Sequence, residues 1–213
     1  MITLYDYLPS QNAYKIRLLL RQLQQDYTKE LISIFEGQGQ TPAFLAVNPG
    51  GAVPAIRLED GRVLAESNAI LFYLAQHSRF LPQDIFEQAK VWQWMSFEGD
   101  YVQATIATLR HWTMTGKLAR RPESVVSGKR AGSLKVLQIM NRELQERRFF
   151  VADTYTIADM SLFAYVHLAE DAGLPLRDYP HVQRWIARVK SQENYLDEVH
   201  PYSIDPHSAK ELP

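Results

Sequence analysis

The chain has 213 residues, of which 46% are hydrophobic and 22% are charged, a composition typical of globular domains rather than of disordered chains. The 23 basic residues nearly balance the 24 acidic residues, so no general field attracts nucleic acid or a membrane, and we expect a small-molecule or protein partner. The absence of cysteine excludes disulfides, zinc–thiolate sites, iron–sulfur clusters and attack by a protein thiol, so any sulfur chemistry must come from a ligand.

The sequence has no pattern typical of a leader or of a membrane span. Its start, Met-Ile-Thr-Leu-Tyr-Asp-Tyr, lacks the basic start and apolar run of a signal peptide, and no apolar stretch approaches bilayer-spanning length. No phosphate-binding loop, dinucleotide-binding glycine motif or paired metal-ligand spacing among the histidines is visible. We therefore expect a cytoplasmic protein that uses neither a metal nor nucleotide-driven chemistry.

The first third of the chain predicts a small mixed sheet covered by helices. Ile2 to Tyr7 alternates apolar and polar residues as a strand does, and an apolar stripe at helical spacing follows Ser10 and Asn12. The pattern then predicts a strand at 27–35, a short helix at 42–47, a hairpin at 55–65 and a helix at 66–77. The predicted order is βαβαββα, an α/β domain with mixed strand directions.

The rest of the chain shows helical periodicity without a convincing strand. Long periodic segments cover residues 86–115, 123–146, 156–172 and 181–192, and the pattern is interrupted at 79–83. We therefore predict an α/β domain over residues 1–80 and an all-helical domain over residues 85–213. The segment after Glu198, rich in proline and polar residues, is expected to pack loosely over the surface.

A glycine- and proline-containing stretch precedes the predicted hairpin and reads Asn48-Pro49-Gly50-Gly51-Ala52-Val53-Pro54-Ala55-Ile56. Taken alone, it is typical of a turn before a strand. A proline at this position lacks a ladder donor, so Val53-Pro54 is a candidate cis bond that exposes the Val53 backbone to a ligand. The exposed backbone would act as a small antiparallel peptide-binding edge.

This stretch resembles the Asn-Pro-x-x-x-Val-Pro-x-Leu/Ile segment of the glutathione transferase superfamily, in which Glu-Ser opens the next helix, as Glu66-Ser67 does here. The resemblance covers nearly the full chain. It implies a thioredoxin-like domain that binds glutathione, followed by an all-helical domain that contributes the pocket for a second substrate. It also implies that the Val53 main chain, next to Pro54, pairs with the cysteinyl part of glutathione.

The start of the helix at Glu66 has chemistry that suits the same ligand. Free amides at a helix N-terminus favour the γ-glutamyl carboxylate, and the Glu66 carboxylate can pair with the ammonium group of glutathione. The alternative is that Glu66 and Ser67 only cap the helix. Gln38 and Gln40 are candidates for the glycyl carboxylate, although glutamines in a loop are more often only solvated.

The loop before the first helix contains the candidate catalytic residues. It resembles the loop of serine-type glutathione transferases, theta- or zeta-like and bacterial, because Ser10 lies five residues before the basic Lys15. The resemblance implies that the Ser10 hydroxyl donates a hydrogen bond to the glutathione thiolate. Asn12 is a second candidate donor, since some bacterial relatives with disulfide-reductase activity use an asparagine near this position. Ser10 could instead be only a helix cap, and Tyr7 is a weaker alternative donor.

Two features of the second half agree with the same family. Thr156-Ile157-Ala158-Asp159 resembles its capping motif at the start of a buried helix, which we interpret as structural. The pocket for the second substrate is expected between Ser10 and the first long helix of the bundle. The candidate pocket residues on that helix, any of which could instead be core residues, are Tyr101, Thr105, Leu109, Arg110 and Trp112.

The leading functional hypothesis is conjugation of glutathione, as co-substrate, to a small electrophile in detoxification. Glutathione-dependent reduction of a peroxide or disulfide is an alternative, as is isomerisation, although zeta-like isomerases typically have Ser-Ser-Cys where this chain has Ser10-Gln11-Asn12. A non-catalytic partner protein of the same fold is a further alternative. The family also implies a homodimer, and Glu98 and Asp100 are candidates to reach the neighbouring subunit's ligand.

Overall fold

The computed structural model describes residues 1–212, and the chain divides into two compact units. Unit 1 consists of Met1–Gln76 together with residues 194–212, and unit 2 consists of His77–Glu193. Residues 194–212, hereafter the tail, therefore belong to unit 1, whereas the predicted domain bounds assigned them to the helical domain. Among the described residues, no helix combines the length and the apolar character that crossing a bilayer requires.

Unit 1 contains the mixed sheet that the sequence predicts. Its strands are β1 (Ile2–Asp6), β2 (Tyr27–Leu31), β3 (Ala55–Arg57) and β4 (Val63–Ala65). Over the described residues these four strands form one sheet in the order β2-β1-β3-β4. β1 pairs in parallel with β2 and antiparallel with β3, which pairs antiparallel with β4. The α/β class of this half is confirmed.

The helices of unit 1 are α1 (Gln11–Gln22), α2 (Pro42–Leu45) and α3 (Ser67–Leu74). α1 provides the crossover that a parallel β1–β2 pair requires. It is buried on nearly all sides, with Ile16, Leu18 and Leu19 fully inaccessible, and it packs against α3. This packing positions the N-terminal ends of α1 and α3 for the contact between Asn12 and Ser67 described below.

The second strand ends earlier than predicted. The pattern predicts strand up to residue 35, but after Leu31 the chain forms two short 3₁₀ turns, Ile34–Glu36 and Gln38–Gln40. Gly37 lies between these turns with a φ of +82°, a left-handed conformation that a glycine adopts without steric cost. Local turn chemistry therefore overrides the alternation of apolar residues.

The helices of unit 2 are α4 (Ile85–Phe97), α5 (Thr108–Met114), α6 (Glu123–Glu143), α7 (Ile157–Val166) and α8 (Pro180–Lys190). A π-helical segment, Glu98–Ala107, joins α4 to α5 without a break, as the predicted continuous segment at 86–115 requires. The predicted segment at 156–172 ends as an α-helix at Val166 and is followed by a 3₁₀ turn at Ala169–Ala172. The all-helical class of the second half is confirmed.

The start of α7 carries a capping box whose aspartate has several donors. Asp159 accepts hydrogen bonds from the Thr156 amide at 3.0 Å, the Phe150 amide at 3.2 Å and Trp185 Nε1 at 2.9 Å. Thr156 and Asp159 form the predicted capping box. Burial raises the pKa of Asp159 to about 6, although these donors favour its charged form. Asp159 thus ties the start of α7 to two other parts of the unit.

The tail is held to the rest of unit 1 by specific hydrogen bonds, which differs from the loose packing expected of it. The Tyr14 hydroxyl donates to the Leu196 carbonyl at 2.8 Å, and the Tyr7 hydroxyl donates to Asp205 Oδ2 at 2.9 Å. These bonds join residues almost 200 positions apart, |i−j| being 198 for Tyr7 and Asp205. No local pattern in the tail indicates them.

Candidate functional site

The loop between β1 and α1 presents the Ser10 hydroxyl at the start of a helix. Ser10 caps α1, since its Oγ accepts from the Ala13 amide at 3.3 Å, and its own amide donates to the Tyr7 carbonyl at 2.7 Å. The capping bond uses an oxygen lone pair and not the hydroxyl proton. The capping role and a donor role toward a ligand are therefore compatible at Ser10.

A buried ion pair between α1 and β1 anchors this loop. Arg17 Nη1 lies 2.7 Å and 2.9 Å from the two carboxylate oxygens of Asp6, and both side chains are fully inaccessible. Arg17 Nη2 also donates to the Leu8 carbonyl at 3.0 Å. A buried charge without its partner is costly, so Arg17 stays paired with Asp6. Its bond to the Leu8 carbonyl then fixes the backbone that leads into Ser10.

Asn12 and Ser67, two predicted site residues far apart in sequence, are brought together. The Ser67 hydroxyl donates to Asn12 Oδ1 at 3.4 Å and accepts from Lys15 Nζ at 3.3 Å. Lys15 is fully buried, and its ammonium group can only donate. The bonds from Lys15 to Ser67 and from Ser67 to Asn12 therefore run in one direction. In the sequence Lys15 serves only to locate Ser10 by spacing, and its link to Ser67 depends on the packing of α1 against α3.

The Asn48 side chain bridges the turn before β3. Asn48 Nδ2 donates to the Ala52 carbonyl at 2.7 Å, and Asn48 Oδ1 accepts from the Gly50 amide at 2.9 Å. The Val53–Pro54 bond that follows is cis, as the sequence predicted. Val53 packs its side chain against a buried cluster that includes Tyr5 and Phe44.

Glu66 has a backbone conformation that is unusual for its residue type. Its φ is +68°, in the left-handed region, where a non-glycine residue is strained by on the order of 1–3 kcal/mol. The Glu66 side chain is exposed and makes no capping bond to α3, whereas Ser67 is buried. The Glu66 carboxylate therefore does not cap α3, which was the alternative considered from the sequence.

Gln38 and Gln40 lie on the loop between β2 and α2, both exposed. Gln38 Oε1 accepts from the Ser33 amide at 2.7 Å, so its carbonyl closes the loop on itself. Gln40 Nε2 lies 2.3 Å from where a Cβ at Gly51 would stand, and Gly51 has a φ of +65°. This loop thus contacts the turn before β3 at a point where only glycine fits.

Tyr101 and Thr105, two of the predicted pocket residues, line one cavity of about 310 Å³ within unit 2. Both lie on the π-helical segment, and Lys135 and Ile139 of α6 line the same cavity. Tyr101 is 55% exposed. π-helical segments are rare and frequently occur at functional sites.

The other three predicted pocket residues have different surroundings. Leu109 is fully buried, and Arg110 is 2% exposed and pairs through Nε with Asp171 Oδ2 at 2.9 Å. Trp112 lies with its ring centroid 5.1 Å from the Arg121 guanidinium. Leu109 and Arg110 thus have the environment of core residues of unit 2. A core position was the alternative to a pocket position for each of these residues.

The two acidic candidates at the start of the π-helical segment point to different environments. Glu98 is fully buried, and its Oε2 accepts from Gln103 Nε2 at 3.0 Å and from the Ser161 hydroxyl at 3.2 Å. Asp100 is exposed. Of the two, only Asp100 has a side chain at the surface.

Tyr7, the weaker alternative donor, already donates its hydroxyl proton to Asp205 Oδ2 at 2.9 Å. Burial, and then the Asp205 carboxylate, raise the pKa of Tyr7 above its ordinary value. Its proton is therefore committed to the tail, which favours Ser10 and Asn12 over Tyr7 as donors to a ligand. Among residues 1–212, no group of three or more histidine or carboxylate side chains is arranged to hold a metal ion.

Both halves of the chain match known protein families. The family described as Glutathione S-transferase, N-terminal domain, matches residues 9–77, and that described as Glutathione S-transferase, C-terminal domain, matches residues 101–193. A glutathione S-transferase-like protein of Gibberella moniliformis is 30% identical over 203 residues, which are 90% of this chain and 89% of that protein. The disulfide-bond oxidoreductase YfcG of Escherichia coli is 26% identical over 202 residues, 90% of this chain and 91% of that protein.

The three-dimensional comparison agrees with the sequence comparison. The crystal structure of a glutathione S-transferase from Pseudomonas fluorescens superposes with a TM-score of 0.90 at 36% identity, over 93% of this chain and 99% of that one. The two matched domains follow one another in the same order as the α/β and helical halves described above. The chain belongs to the cytosolic glutathione transferase superfamily.

Proposed function

We propose that the protein is a glutathione transferase that joins the glutathione thiolate to small electrophiles. The observation that carries the proposal is the Ser10 hydroxyl, whose oxygen accepts the capping bond from the Ala13 amide and whose proton is left to be donated. A hydrogen bond to the ligand sulfur stabilises the thiolate over the thiol and so lowers the pKa of the bound thiol. Ser10 itself need not ionise.

The remaining contacts to glutathione follow from the same unit. The exposed Glu66 carboxylate suits the ammonium group, and the amides at the start of α3 suit the γ-glutamyl carboxylate. The buried Lys15 ammonium, 3.3 Å behind the Ser67 hydroxyl, adds positive charge at that point. The Val53 main chain pairs with the cysteinyl part, and Gln40 is the better candidate for the glycyl carboxylate because Gln38 closes its own loop.

The chemical step is a displacement or an addition by sulfur. The thiol proton leaves to solvent, and the sulfur electron pair forms a bond to the electrophilic carbon. In a displacement, a leaving group such as chloride departs with the electron pair of its bond. The protein contributes the thiolate and holds the two reactants together.

A second candidate is glutathione-dependent disulfide reduction, and the position of Asn12 favours it. Asn12 lies within the same hydrogen-bond chain as Ser67 and Lys15, and a relative at 26% identity is a disulfide-bond oxidoreductase. In this reaction two glutathione molecules are oxidised to their disulfide while the substrate disulfide is reduced to two thiols. Since the chain has no cysteine, the attacking sulfur must belong to glutathione.

A cytoplasmic homodimer completes the proposal. The exposed Asp100, rather than the buried Glu98, is the acidic side chain that could reach the ligand of a neighbouring subunit. Light scattering coupled to gel filtration measures the mass, and Asp100→Ala should then weaken glutathione binding without dissociating the dimer. A protein that is monomeric at micromolar concentration contradicts this part.

The decisive experiment compares wild type with Ser10→Ala and Asn12→Ala in glutathione-dependent turnover of chlorodinitrobenzene, a peroxide and a small disulfide. Ser10→Ala should lower kcat for chlorodinitrobenzene about 100-fold, as loss of one donor to a developing or bound anion does. Glutathione binding, measured by calorimetry, should survive. The ultraviolet absorbance of the bound thiolate should titrate at higher pH in the variant.

Ser127→Ala is the matched control, because Ser127 is an exposed serine of α6 in unit 2. It should leave every activity unchanged. If only Asn12→Ala lowers turnover, and does so with the disulfide, the reductase candidate replaces conjugation. If wild type neither binds immobilised glutathione nor turns over any substrate, the non-catalytic partner hypothesis replaces both.

A further inference from the structure

A cavity of about 300 Å³ lies within unit 2, beside the segment that connects α6 to α7. Phe149, Thr154 and Tyr155 of that segment line it, together with Phe80 near the start of the unit and Gln192 just after α8. Its volume is at the lower end of the range of small-molecule sites. None of these residues belongs to the proposed glutathione contacts, so the cavity calls for a ligand of its own.

Three buried aromatic rings form the floor of this cavity. Tyr155 lies between the other two, with its ring centroid 5.9 Å from that of Phe80 and 5.6 Å from that of Phe149. All three residues are at most 6% exposed, so packing in the core of the unit fixes their positions. The Ile157 amide also donates to the Phe80 carbonyl at 3.0 Å, which ties Phe80 to the start of α7. A rigid aromatic floor favours a flat apolar group, such as an aromatic ring, on the ligand.

Guanidinium groups line the cavity or stand next to its rings. Arg79 and Arg148 line it, and both are exposed. The Arg79 guanidinium lies 4.9 Å from the Phe80 ring centroid, and the Arg188 guanidinium lies 5.9 Å from the Phe149 ring centroid. Arg188 Nε also donates to the Arg148 carbonyl at 3.0 Å, which holds α8 to the lining segment. The aromatic floor thus positions cations as well as apolar surface.

Positive charge is in excess at this place. Burial lowers the pKa of Arg188, and the guanidiniums of Arg148 and Arg184 lower it further, while nearby carboxylates act the other way. The guanidiniums therefore repel one another across the surface beside the cavity. An anion bound there would relieve this repulsion.

Two carboxylates beside the cavity offset this charge only in part. Asp153 lines the cavity, and its Oδ1 accepts from the Arg148 amide. Glu193 Oε2 lies 3.9 Å from Arg79 Nη2, a long contact between exposed side chains that contributes little. Four guanidiniums against these two carboxylates leave an excess of two positive charges. A phosphate monoester, which is close to a dianion at pH 7, balances that excess.

We propose that this cavity binds a small aryl phosphate, with its ring on the aromatic floor and its phosphate held by Arg79 and Arg148. Guanidinium groups suit this role because their parallel N–H bonds pair with phosphate oxygens two at a time. The site belongs to unit 2 and does not depend on the proposed transferase function. A protein without glutathione-dependent turnover that binds an aryl phosphate here would lose that function and keep this site.

Titration calorimetry with 1-naphthyl phosphate tests the class of ligand. Wild type should bind it at least about tenfold more tightly than 1-naphthol, which lacks the anion, or inorganic phosphate, which lacks the ring. It should also bind it about threefold or more tightly than 1-naphthoate, which carries one negative charge instead of two. Equal affinity for any of these three compounds overturns the proposed ligand.

Two variants test the place of binding. Arg148→Gln removes one lining charge from an exposed position, so the protein should fold and should bind 1-naphthyl phosphate about tenfold more weakly. Thr154→Trp fills the cavity and should abolish measurable binding. Arg177→Gln, at an exposed arginine elsewhere in unit 2, is the control and should stay within about twofold of wild type. If either Arg148→Gln or Thr154→Trp binds as wild type does, the ligand lies elsewhere and the proposal is overturned.

Hydrogen exchange locates the ligand without a substitution. Saturation with 1-naphthyl phosphate should slow amide exchange in residues 148–155 and at the end of α8, because a bound ligand suppresses local opening. The glutathione-binding unit should show no change. Slowed exchange confined to unit 1 would assign the compound to the glutathione site and overturn a site in unit 2.

Discussion

Two carboxylates, Asp159 of α7 and Asp205 of the tail, each tie distant parts of one unit together, but they do so in opposite environments. Asp159 is fully buried and accepts from the Phe150 amide, the Thr156 amide and Trp185 Nε1. Asp205 accepts from the Tyr7 hydroxyl and lines an open cavity. The first has no surface on which a ligand could act, whereas the second stands where a ligand can contact it.

The two carboxylates differ in their access to solvent and not in the kind of contact that they make. Both have several donors, and both join residues far apart in sequence, so the number of hydrogen bonds does not separate them. Accessibility and the adjacent cavity do separate them. Loss of Asp159 should therefore act on stability, and changes around Asp205 should act mainly on substrate use.

The largest effect is expected from Asp159→Ala. The substitution leaves two buried amides and the Trp185 indole N–H without an acceptor, and each unsatisfied buried donor costs about 1–3 kcal/mol. We expect the free energy of unfolding to fall by about 3–5 kcal/mol, measured by urea denaturation. Asp178→Ala, at an exposed aspartate of the same unit, is the control and should stay within about 0.5 kcal/mol.

An Asp159→Ala variant that loses less than about 1 kcal/mol would contradict the assignment, because the three donors would then have found other partners. Hydrogen exchange of the variant should still show protected amides in helices α4 to α6. A loss confined to α7 and α8 would indicate that Asp159 orders its own neighbourhood and not the whole of unit 2.

A second, smaller effect is the pH dependence of stability that His167, at the C-terminal end of α7, should produce. Its Nδ1 lies 2.6 Å from the Phe163 carbonyl and its ring stacks on Phe163. Burial lowers the pKa of His167 to about 4 from its ordinary value of 6.5. The unfolded chain binds the His167 proton more readily than the folded chain does. The contribution of neutral His167 to the free energy of unfolding is therefore complete above pH 6.5 and is lost as the pH falls toward 4.

The loss expected from His167 between pH 7.5 and pH 5 is on the order of 2 kcal/mol. Asp159 acts with the opposite sign, because its raised pKa makes stability decline as pH rises through about 6. Subtracting the free energy of unfolding of His167→Phe from that of wild type cancels the Asp159 contribution, which both proteins share. From pH 7.5 to pH 5 this difference should shift by about 2 kcal/mol in favour of the variant. Parallel pH profiles for the two proteins would contradict the assigned pKa of His167.

The same contrast explains which parts of the molecule the sequence could predict. The cap at Thr156 and Asp159, the turn at Asn48 and the Val53–Pro54 bond are local patterns of a few residues, and the structure has them as predicted. The order of strands and helices likewise follows from local periodicity. Local patterns are readable because their physical causes lie within a few positions of one another.

Contacts between distant segments were not predictable in this way. The tail carries no helical or strand period, and its bonds to Tyr7 and Tyr14 depend on where the completed unit places those rings. The burial of Leu109 and Arg110 could not be distinguished from exposure because both faces of that helix carry apolar residues. The link from Lys15 to Ser67 requires the packing of α1 on α3.

Gln11 is a third buried polar side chain, and unlike Asp159 its amide has no hydrogen-bond partner within the described residues. It is 1% exposed, and within residues 1–212 neither Nε2 nor Oε1 has a hydrogen-bond partner. Gln11→Met replaces an unpaired buried amide by an apolar side chain of similar volume and should raise the free energy of unfolding by about 1 kcal/mol. A loss of stability in urea denaturation, together with weaker glutathione binding, would instead show that the amide is used in the assembled enzyme.

The smallest effect on stability is expected from the bond between Tyr7 and Asp205, and a double-mutant cycle measures it. Tyr7→Phe leaves the Asp205 carboxylate and Asp205→Ala leaves the Tyr7 hydroxyl, and both residues line an open cavity, so neither remaining group is stranded in a closed core. The coupling energy should be below about 1 kcal/mol in urea denaturation, as for a hydrogen bond exchanged with water. In the same three variants KM for chlorodinitrobenzene should rise, because the bond between Tyr7 and Asp205 holds the tail beside the loop that leads into Ser10. A coupling energy above about 2 kcal/mol with an unchanged KM would make Asp205 a structural anchor like Asp159, and accessibility would then no longer separate the two carboxylates.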